Sequence, residues 1–302
     1  MKNIPYTLEG SEKLVDFIYK NKENVEKYVN DHGAVLFRGF KIHSLSEFQK
    51  ASEILCDDLS DYVYRSSPRT KLGGKVYTST EYPKDREIPL HNENSYTLNW
   101  PTKIIFHCVT EPQVAGETPI ANSHDVYKRI DPSIRDEFER KKIMYVRNYG
   151  LGMDLSWQEA FQTDSKLEVE AFCESHQIHF EWIGENQLRT RQVCQAVLPH
   201  PVKGNMLWFN QAHLFHESAN DHEMREYFAK NYKSDEIPRN TFFGDGTPIS
   251  EATLDHIRQV YKKVEIAFPW RKGDLLLLDN LLYAHGRRPF DGERKIVVAM
   301  GS

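Results

Sequence analysis

Hydrophobic and polar positions near the start of the chain predict a helix, a buried strand and a second helix. Residues 11–31 place apolar side chains at helical spacing, with charged residues between them. The apolar residues 34–37 then predict a buried strand. Ser44, with Glu47 three residues later, predicts a capping box that begins a helix extending to about Cys56.

From residue 103 onward, the pattern predicts many short strands with helices inserted between them. The predicted strands are 103–109, 143–148, 179–183, 191–197, 206–209, 274–278 and 295–300. The predicted helices are 123–130, 131–141, 156–162, 165–177, 221–231 and 250–264. This order predicts a mainly β fold with surrounding helices and a double-stranded β-helix, or jelly-roll, core. Regular strand–helix alternation, as in a parallel α/β sheet, is not seen in the C-terminal part.

No linker interrupts this pattern, so we predict a single domain over residues 1–302. The polar segment 57–90, rich in Pro, Gly and Ser, reads as a long loop system leading toward the site. It is one predicted lid, and the helix-rich segment 150–190 is the other.

Composition and charge exclude several classes of protein. The net charge of −5 gives no electrostatic footprint for nucleic acid. The four cysteines lie far apart, so no CxxC pair for zinc or redox chemistry exists. No apolar run is long enough for a membrane helix, and the first ten residues lack the apolar core of a signal peptide. We therefore expect a cytoplasmic protein without a membrane partner.

The most informative residues are His91, Glu93 and His285. On a strand, residues two apart point to the same face, so His91 and Glu93 could reach one metal ion. Two imidazoles and one carboxylate can hold one face of an iron(II) ion and leave the other face open. Taken alone, the first two could be a chance pair on the surface, and His285 a satisfied histidine at a strand edge.

Two further residues fit an anion-binding role beside such a centre. Arg294 follows His285 by nine residues, and a hairpin of that length would bring it back into the barrel. A buried arginine needs an anion, and its planar fork suits a carboxylate. Thr118, in the Gly-Glu-Thr-Pro turn, could give a hydroxyl to the same anion. The alternatives are a surface arginine in a basic turn and an ordinary turn.

Several stretches together resemble the taurine dioxygenase and clavaminate synthase-like superfamily of iron(II)/2-oxoglutarate oxygenases. Within this superfamily, the chain resembles the branch that includes hydroxylases of amino acids, free or carrier-bound, in peptide natural-product pathways. The resemblance covers about residues 33–301. It rests on Pro89–Tyr96, Asn99–Lys103, Gly116–Ile120, His200-Pro201 with Trp208–Gln211, and Gly273–Ile296.

The resemblance implies that His91, Glu93 and His285 bind Fe(II), and that Arg294 and Thr118 bind the distal carboxylate of 2-oxoglutarate. It implies Fe(II), 2-oxoglutarate and O2 as cofactor and cosubstrates, and hydroxylation coupled to decarboxylation of 2-oxoglutarate to succinate. Glu rather than Asp at position 93 favours the clavaminate synthase and amino-acid hydroxylase branches. Desaturation or epoxidation with the same cofactors stays open, as does a cupin-like metal hydrolase or a non-catalytic binding protein.

The predicted substrate is a small amino-acid-like molecule, free or tethered to a peptidyl carrier protein. Its identity and the oligomeric state, including a homo-oligomer, stay open. Seven residues near the matched motifs are predicted to contact this substrate: Ser95, Tyr96, Arg147, Asn148, Trp208, Asn210 and Gln211. Mixed aromatic and amide side chains suit a small polar ligand, although plain core packing is the alternative for Trp208.

Overall fold

The structure is a computed structural model that describes residues 4–302. Its strands are β1 (Tyr6–Glu9), β2 (Ala34–Arg38), β3 (Lys71–Gly73), β4 (Val76–Thr78), β5 (Ile88–His91), β6 (Lys103–Thr110), β7 (Val114–Ala115), β8 (Ile120–Asn122), β9 (Ile143–Tyr149), β10 (His179–Ile183), β11 (Gln187–Cys194), β12 (Val197–Pro199), β13 (Met206–Trp208), β14 (Arg239–Phe243), β15 (Leu275–Asp279), β16 (Tyr283–Arg287), β17 (Phe290–Asp291) and β18 (Lys295–Gly301).

Helices lie between these strands and outside the sheets. They are α1 (Leu14–His32), α2 (Leu45–Leu55), α3 (Ser123–Arg129), α4 (Pro132–Lys141), α5 (Trp157–Phe161), α6 (Lys166–Ser175), α7 (Ala212–Phe215), α8 (His222–Asn231) and α9 (Glu251–Val264), with a short 3-10 helix at Glu217–Ala219. None of the helices within the described residues is long and apolar enough to cross a membrane.

A seven-stranded sheet, in the order β1-β2-β15-β6-β18-β4-β3, forms the centre of the molecule. Its strands alternate their side chains between two apolar layers, as the two-residue period of a strand requires. Val35 and Leu277 face α1 and α2 in one layer. Leu36 and Leu278 face the opposite layer, which contains Tyr283 of the smaller sheet. The large sheet is therefore buried on both faces.

The smaller sheet that carries the site has the order β5-β16-β8. It packs on the inner face of the large sheet through apolar residues such as Phe106 and Ile296 on one side and Ile120 and Tyr283 on the other. A separate four-stranded sheet, β10-β11-β9-β14, carries its own core against α3 to α6 and α9. The fold is thus mixed helix and sheet, with the candidate site between the large and the three-stranded sheets.

The predicted helices in the described residues are confirmed to within a few residues at their ends, and so are the predicted strands except 191–197, which covers the end of β11, a break and the start of β12. The capping prediction is half right. Ser44 accepts the N–H of Glu47, but the Glu47 carboxylate accepts the N–H of His43 rather than that of Ser44. The sequence pattern missed β1, β7, β8, β14, β16, β17 and α7, and the predicted long loop 57–90 contains β3, β4 and most of β5.

Candidate metal centre

Three side chains distant in sequence meet between the two sheets: His91, Glu93 and His285. One ligand atom from each lies within 4.8 Å of the others. Nε2 of His285 is 3.8 Å from Oε2 of Glu93, and the two imidazole rings have centroids 4.7 Å apart. Within residues 4–302, no other group of three or more His, Cys, Asp or Glu side chains meets in this way.

Strand pairing places the two histidines. His91 ends β5 and lies directly opposite His285 in the antiparallel pair with β16. The next residue, Gly286, allows this close pairing, because a Cβ there would lie 2.5 Å from the carbonyl oxygen of Ile88. The same irregular stretch of pairing between His285 and Arg287 contains a register shift.

Glu93 reaches the same point by a different route from the one predicted. It lies in a turn after β5 rather than on the strand, so strand alternation does not orient it. The buried side chain of Asn280 holds this turn. Its Oδ1 accepts the N–H of Glu93 at 2.7 Å, and its Nδ2 donates to the carbonyl of Glu93 at 3.0 Å. Glu93 therefore depends on the turn that joins β15 to β16.

Protonation at the site suits a divalent cation. Nδ1 of His91 lies 2.8 Å from the carbonyl of Pro89, so it carries the proton and Nε2 keeps a free lone pair. Burial lowers the pKa of His285 well below its ordinary value, and the nearby charges of His91 and Arg69 lower it further. Desolvation also lowers the pKa of His91. Both imidazoles are neutral at pH 7, as metal ligation requires.

The residues of this group suit iron(II). The donor set is two neutral imidazole nitrogens and one carboxylate, which is the set found in non-haem iron(II) oxygenases with open coordination positions. The carboxylate is buried, with its side chain 3 % exposed, so a cation beside it would offset the cost of burying its charge.

Arg294 and Thr118 lie together in the small cavity beside this group. Arg294 donates from Nε to the carbonyl of Gly116 at 2.8 Å and from Nη2 to Oγ1 of Thr118 at 3.3 Å. The indole N–H of Trp270 donates to the same hydroxyl at 3.0 Å. Burial, and then Arg287, lower the pKa of Arg294 to about 10, so it stays charged at pH 7.

The prediction that a hairpin returns Arg294 to His285 is wrong in its topology. β16 pairs with β5 and β8, whereas β18, which follows Arg294, pairs with β6 and β4 in the large sheet. Arg294 and His285 lie beside the same cavity because the chain crosses from one sheet to the other. The side chains that surround this cavity include Arg69, His91, Thr118, His285, Arg287 and Arg294.

Arg69 was missed by sequence reasoning. Its side chain is 4 % exposed, and Nη2 donates to Oε2 of Glu93 at 2.7 Å. Its neighbours in sequence are polar and Pro-rich, a composition typical of exposed loops, so no local signal distinguished it from a surface arginine. It anchors the segment 57–90 to the site.

A larger cavity also opens beside His91. Gln211, Arg86, Asp154 and Arg239 are among its lining residues, and Arg239 and Asp154 form an ion pair with each other. Gln211 donates from Nε2 to the carbonyl of Asn92 at 2.8 Å. Of the seven predicted substrate residues, Gln211 is the one that lines this cavity.

The other six lie away from both cavities that contain His91. Their side chains contact other parts of the chain, although Nε and Nη1 of Arg147 and Nε1 of Trp208 have no hydrogen-bond partner. Ser95 donates to the carbonyl of Asn92, Tyr96 to the carbonyl of Tyr64, Arg147 to the carbonyl of Arg65, Asn148 to the carbonyls of Asp235 and Ile237, and Asn210 to the carbonyl of Ala196, while Trp208 packs on Phe138.

The sequence carried no signal for Asp154, Arg239 or Arg86 as cavity residues. Asp154 and Arg239 are separated by 85 positions, and each looks like an exposed loop or strand-end charge in the sequence. Their pairing depends on the four-stranded sheet and the segment after β9. Only the tertiary structure brings them to the cavity.

The fold and the site together define a class: mononuclear non-haem iron oxygenases that use 2-oxoglutarate. The family described as taurine catabolism dioxygenase TauD, TfdA family matches residues 10–300 of the chain. The chain belongs to this family. It is an Fe(II)/2-oxoglutarate-dependent dioxygenase, with Fe(II) as its metal and 2-oxoglutarate and O2 as cosubstrates.

Two relatives cover most of the chain. The dapdiamide synthesis protein DdaC of Enterobacter agglomerans is 40% identical over 294 residues, which are 97% of this chain and 89% of the relative. A clavaminate synthase-like protein of Arabidopsis thaliana is 30% identical over 293 residues, 94% of this chain and 86% of the relative. The predicted resemblance to the taurine dioxygenase and clavaminate synthase-like superfamily is confirmed.

Solved structures share the fold at low sequence identity. PvcB, an Fe, alpha-ketoglutarate dependent oxygenase from an isonitrile synthetic pathway, has a TM-score of 0.56 at 15% identity, covering 97% of this chain and 84% of its own. Asparagine oxygenase in complex with Fe(II), 2S,3S-3-hydroxyasparagine and succinate has a TM-score of 0.58 at 12% identity, covering 94% and 79%.

Proposed function

We propose that this enzyme hydroxylates a C–H bond of an amino acid or an amino-acid-like substrate, free or bound to a carrier protein. The observation that carries the proposal is the larger cavity beside His91. Its lining contains the guanidinium group of Arg86, the ion pair of Arg239 with Asp154 and the amide of Gln211. Charges of both signs suit a ligand with both an ammonium and a carboxylate group. The names of two relatives, a dapdiamide synthesis protein and an asparagine oxygenase, support the same class of substrate and a place in secondary metabolism.

In this proposal, His91, Glu93 and His285 hold the iron, and Arg294 with Thr118 holds the distal carboxylate of 2-oxoglutarate. Bound together, iron and 2-oxoglutarate would supply oxidising chemistry with O2 as the oxidant: one oxygen atom would enter succinate as carbon dioxide is released, and the other would enter the substrate. The chain's own residues position these groups and exclude water. Phe106 covers the His285 ring edge-on, at a centroid distance of 5.0 Å, and Trp270 fixes the hydroxyl of Thr118.

The test is a substrate screen with two coupled readouts. The protein is incubated with Fe(II), 2-oxoglutarate and oxygen, with free amino acids or with the same amino acids loaded on a carrier protein. We expect one substrate class to gain one oxygen atom and to yield one succinate per product. His285→Ala is the control. Succinate formation that no amino-acid substrate stimulates, with no oxidised product, would contradict the proposal.

Desaturation and epoxidation are the second candidate outcome of the same cofactors. The screen identifies desaturation by mass, because desaturation removes two hydrogen atoms. Epoxidation adds the same mass as hydroxylation, and it applies only to a substrate that already contains a double bond. The predicted alternative of a cupin-like hydrolase is set aside, because the chain belongs to an oxygenase family.

We also propose that the packed sheets form a double-stranded β-helix core. It is supported by the packing of the three-stranded sheet on the inner face of β6, β15 and β18. The single domain over residues 1–302, the cytoplasmic location, the carrier tether and a homo-oligomeric state stay predictions.

A further inference from the structure

Arg69 is buried beside the metal-binding group, yet most of its hydrogen-bonding capacity is unused. Nη2 donates to Oε2 of Glu93, the same oxygen that lies 3.8 Å from Nε2 of His285. Nε and Nη1 are both buried and have no hydrogen-bond partner. The guanidinium carbon lies 4.6 Å from the centroid of the Tyr62 ring, which covers one face of the group.

The two other arginines of the same cavity use more of their donors than Arg69 does, although Nε of Arg287 is also buried without a partner. Arg287 donates to the carbonyls of Tyr82, Pro83 and Arg86. Arg294 donates to Gly116 and Thr118. Buried N–H groups without an acceptor cost free energy, and native structures seldom leave them so. Arg69 therefore has room for an acceptor that the chain itself does not supply.

The cavity indicates what that acceptor is. Arg69 and Arg294 both line it, together with His91 and His285. Arg69 donates to Glu93, whereas Arg294 donates to Thr118, so the two guanidinium groups of this lining have different partners. Within residues 4–302, Glu93 is the one carboxylate that pairs with Arg69, and its charge is shared with the neighbouring metal position. An anion beside Arg69 would complete the set of partners around the guanidinium.

We propose that Arg69 binds the metal-chelating end of the 2-oxo acid, donating from one of its two unpaired groups, Nε or Nη1, to its C1 carboxylate, while Arg294 binds the opposite end. The proposal rests on the assignment of His91, Glu93 and His285 as the metal ligands. Arg69 thus has two partners at once: it orients the Glu93 carboxylate and fixes the cosubstrate beside it. Charge-assisted hydrogen bonds of this kind are the strong ones, and a planar guanidinium suits a carboxylate better than an ammonium does.

Two probes separate the two ends of the cosubstrate without turnover. Mn(II) replaces iron as a metal that does not support the reaction. N-oxalylglycine carries both carboxylates, whereas pyruvate carries the 2-oxo carboxylate and lacks the distal one. Affinities for each probe are measured by isothermal titration calorimetry on the Mn(II)-loaded protein, with the affinity for Mn(II) alone measured separately.

The variants are Arg69→Lys, Arg69→Gln and Arg294→Ala. We expect Arg69→Gln to weaken both probes by the same factor of about 10–100, the effect of losing a charge-assisted contact. Arg69→Lys keeps the charge and should lose less. Arg294→Ala should weaken N-oxalylglycine and leave pyruvate unchanged. Lys71→Gln is the matched control, because Lys71 lies on the same segment with a side chain that is 53% exposed.

The outcomes separate the failure of this inference from the failure of the metal assignment. If Arg69→Gln does not fold, Arg69→Lys decides the question, because it keeps a cation beside Glu93. Unchanged pyruvate affinity in the folded Arg69 variants would overturn the inference while leaving the metal centre intact. If the wild-type protein binds neither Mn(II) nor the probes, the metal assignment fails and this inference fails with it.

Discussion

At the scale of single residues, the site depends on a few buried groups with unequal roles. His91 and His285 are neutral because burial lowers their pKa values, so their lone pairs are available for a metal ion at pH 7. Glu93 keeps a hydrogen bond to Arg69 and backbone bonds to Asn280. Each group has at least one partner that fixes its orientation, and such partners commonly govern metal affinity.

The first prediction concerns the three proposed metal ligands. His91→Ala, Glu93→Ala and His285→Ala should each lower iron-dependent succinate formation by more than about 100-fold, since even residues behind the ligands cost 10- to 100-fold when changed. Metal content of the purified protein and succinate yield are the measurements. His43→Ala is the control, because this exposed histidine lies outside the site. A variant that retains full activity would remove its residue from the ligand set.

A second prediction concerns Arg294. Arg294→Ala should raise the concentration of 2-oxoglutarate needed for half-maximal succinate formation by about 10–100-fold, with a smaller effect on the maximal rate at saturation. The reason is the loss of a buried cation that would pair with the distal carboxylate. Steady-state kinetics with varied 2-oxoglutarate measure this change. Should the requirement stay as in the wild type, another residue holds that carboxylate.

At the scale of elements, the turn between β15 and β16 joins the parts of the site. Asn280 in this turn is fully buried and bonds to both the N–H and the carbonyl of Glu93, and to the carbonyl of Pro101 at 2.8 Å. Asn92 donates to the carbonyl of Asn280 at 2.6 Å. One set of hydrogen bonds therefore holds two turns together: the turn that carries Glu93 and the turn before β16. β16 is the strand that carries His285.

Asn280→Ala should accordingly weaken both folding and metal binding. It removes the three bonds of the Asn280 side chain and leaves buried backbone groups of Glu93 without partners, so we expect the free energy of unfolding to fall by about 2–4 kcal/mol. Chemical denaturation and Mn(II) titration are the measurements. Asn231→Ala, at an exposed asparagine that bonds within its own helix, is the control. A stable variant with unaltered Mn(II) affinity would show that other contacts position Glu93.

The two predicted lid segments, 57–90 and 150–190, differ in how they meet the site. The first contacts it directly through Arg69, and the second carries Asp154 at the wall of the larger cavity. We expect Mn(II), N-oxalylglycine and substrate together to slow trypsin cleavage within both segments, because closure excludes water and protease. Cleavage in the turn at 200–204 is the internal control. Equal cleavage rates in all conditions would argue against closure of these segments.

At the scale of the whole molecule, the packing of α7 against α9 and the four-stranded sheet buries polar groups as well as apolar ones. Among these groups are two histidines outside the metal centre, His213 and His216. Burial lowers the pKa of His213 to about 3 and that of His216 to about 4, from an ordinary value of 6.5. Both are therefore neutral in the folded protein at pH 7.

This burial predicts a loss of stability in mild acid. Below pH 6.5 the unfolded chain takes up protons on these histidines that the folded chain does not, so the free energy of unfolding falls as the pH falls toward 4. His216→Asn should reduce that slope, because asparagine takes up no proton in this pH range. Asparagine also keeps an acceptor for the N–H of Ser218, which now donates to Nδ1 of His216. Urea denaturation at about pH 7 and about pH 5 measures it.

The matched control is His222→Asn, at a histidine whose side chain is 86% exposed. We expect this control to keep the wild-type difference between the two pH values. If His216→Asn also keeps the wild-type difference in the free energy of unfolding between the two pH values, His216 does not contribute to the loss of stability in acid.

The sequence by itself determined much of the secondary structure, the family and the ligand candidates. Periodicity predicted α1, α2 and most later helices and strands, because apolar faces must point toward the core. The spacing of His91, Glu93 and His285 within recognisable motifs predicted a metal group that the fold brings together. These signals come from neighbouring residues, or from short motifs whose residue types indicate their chemistry.

Only the tertiary structure decided how those pieces meet. Glu93 faces His285 through the bonds of Asn280 rather than through strand alternation, and Arg294 reaches the cavity by crossing between sheets. Arg69, from a segment that reads as an exposed loop, pairs with Glu93. Six of the seven predicted substrate residues lie away from the cavities beside His91. Burial and long-range pairing decide whether a polar residue faces a cavity or a neighbouring carbonyl, and a linear pattern carries neither.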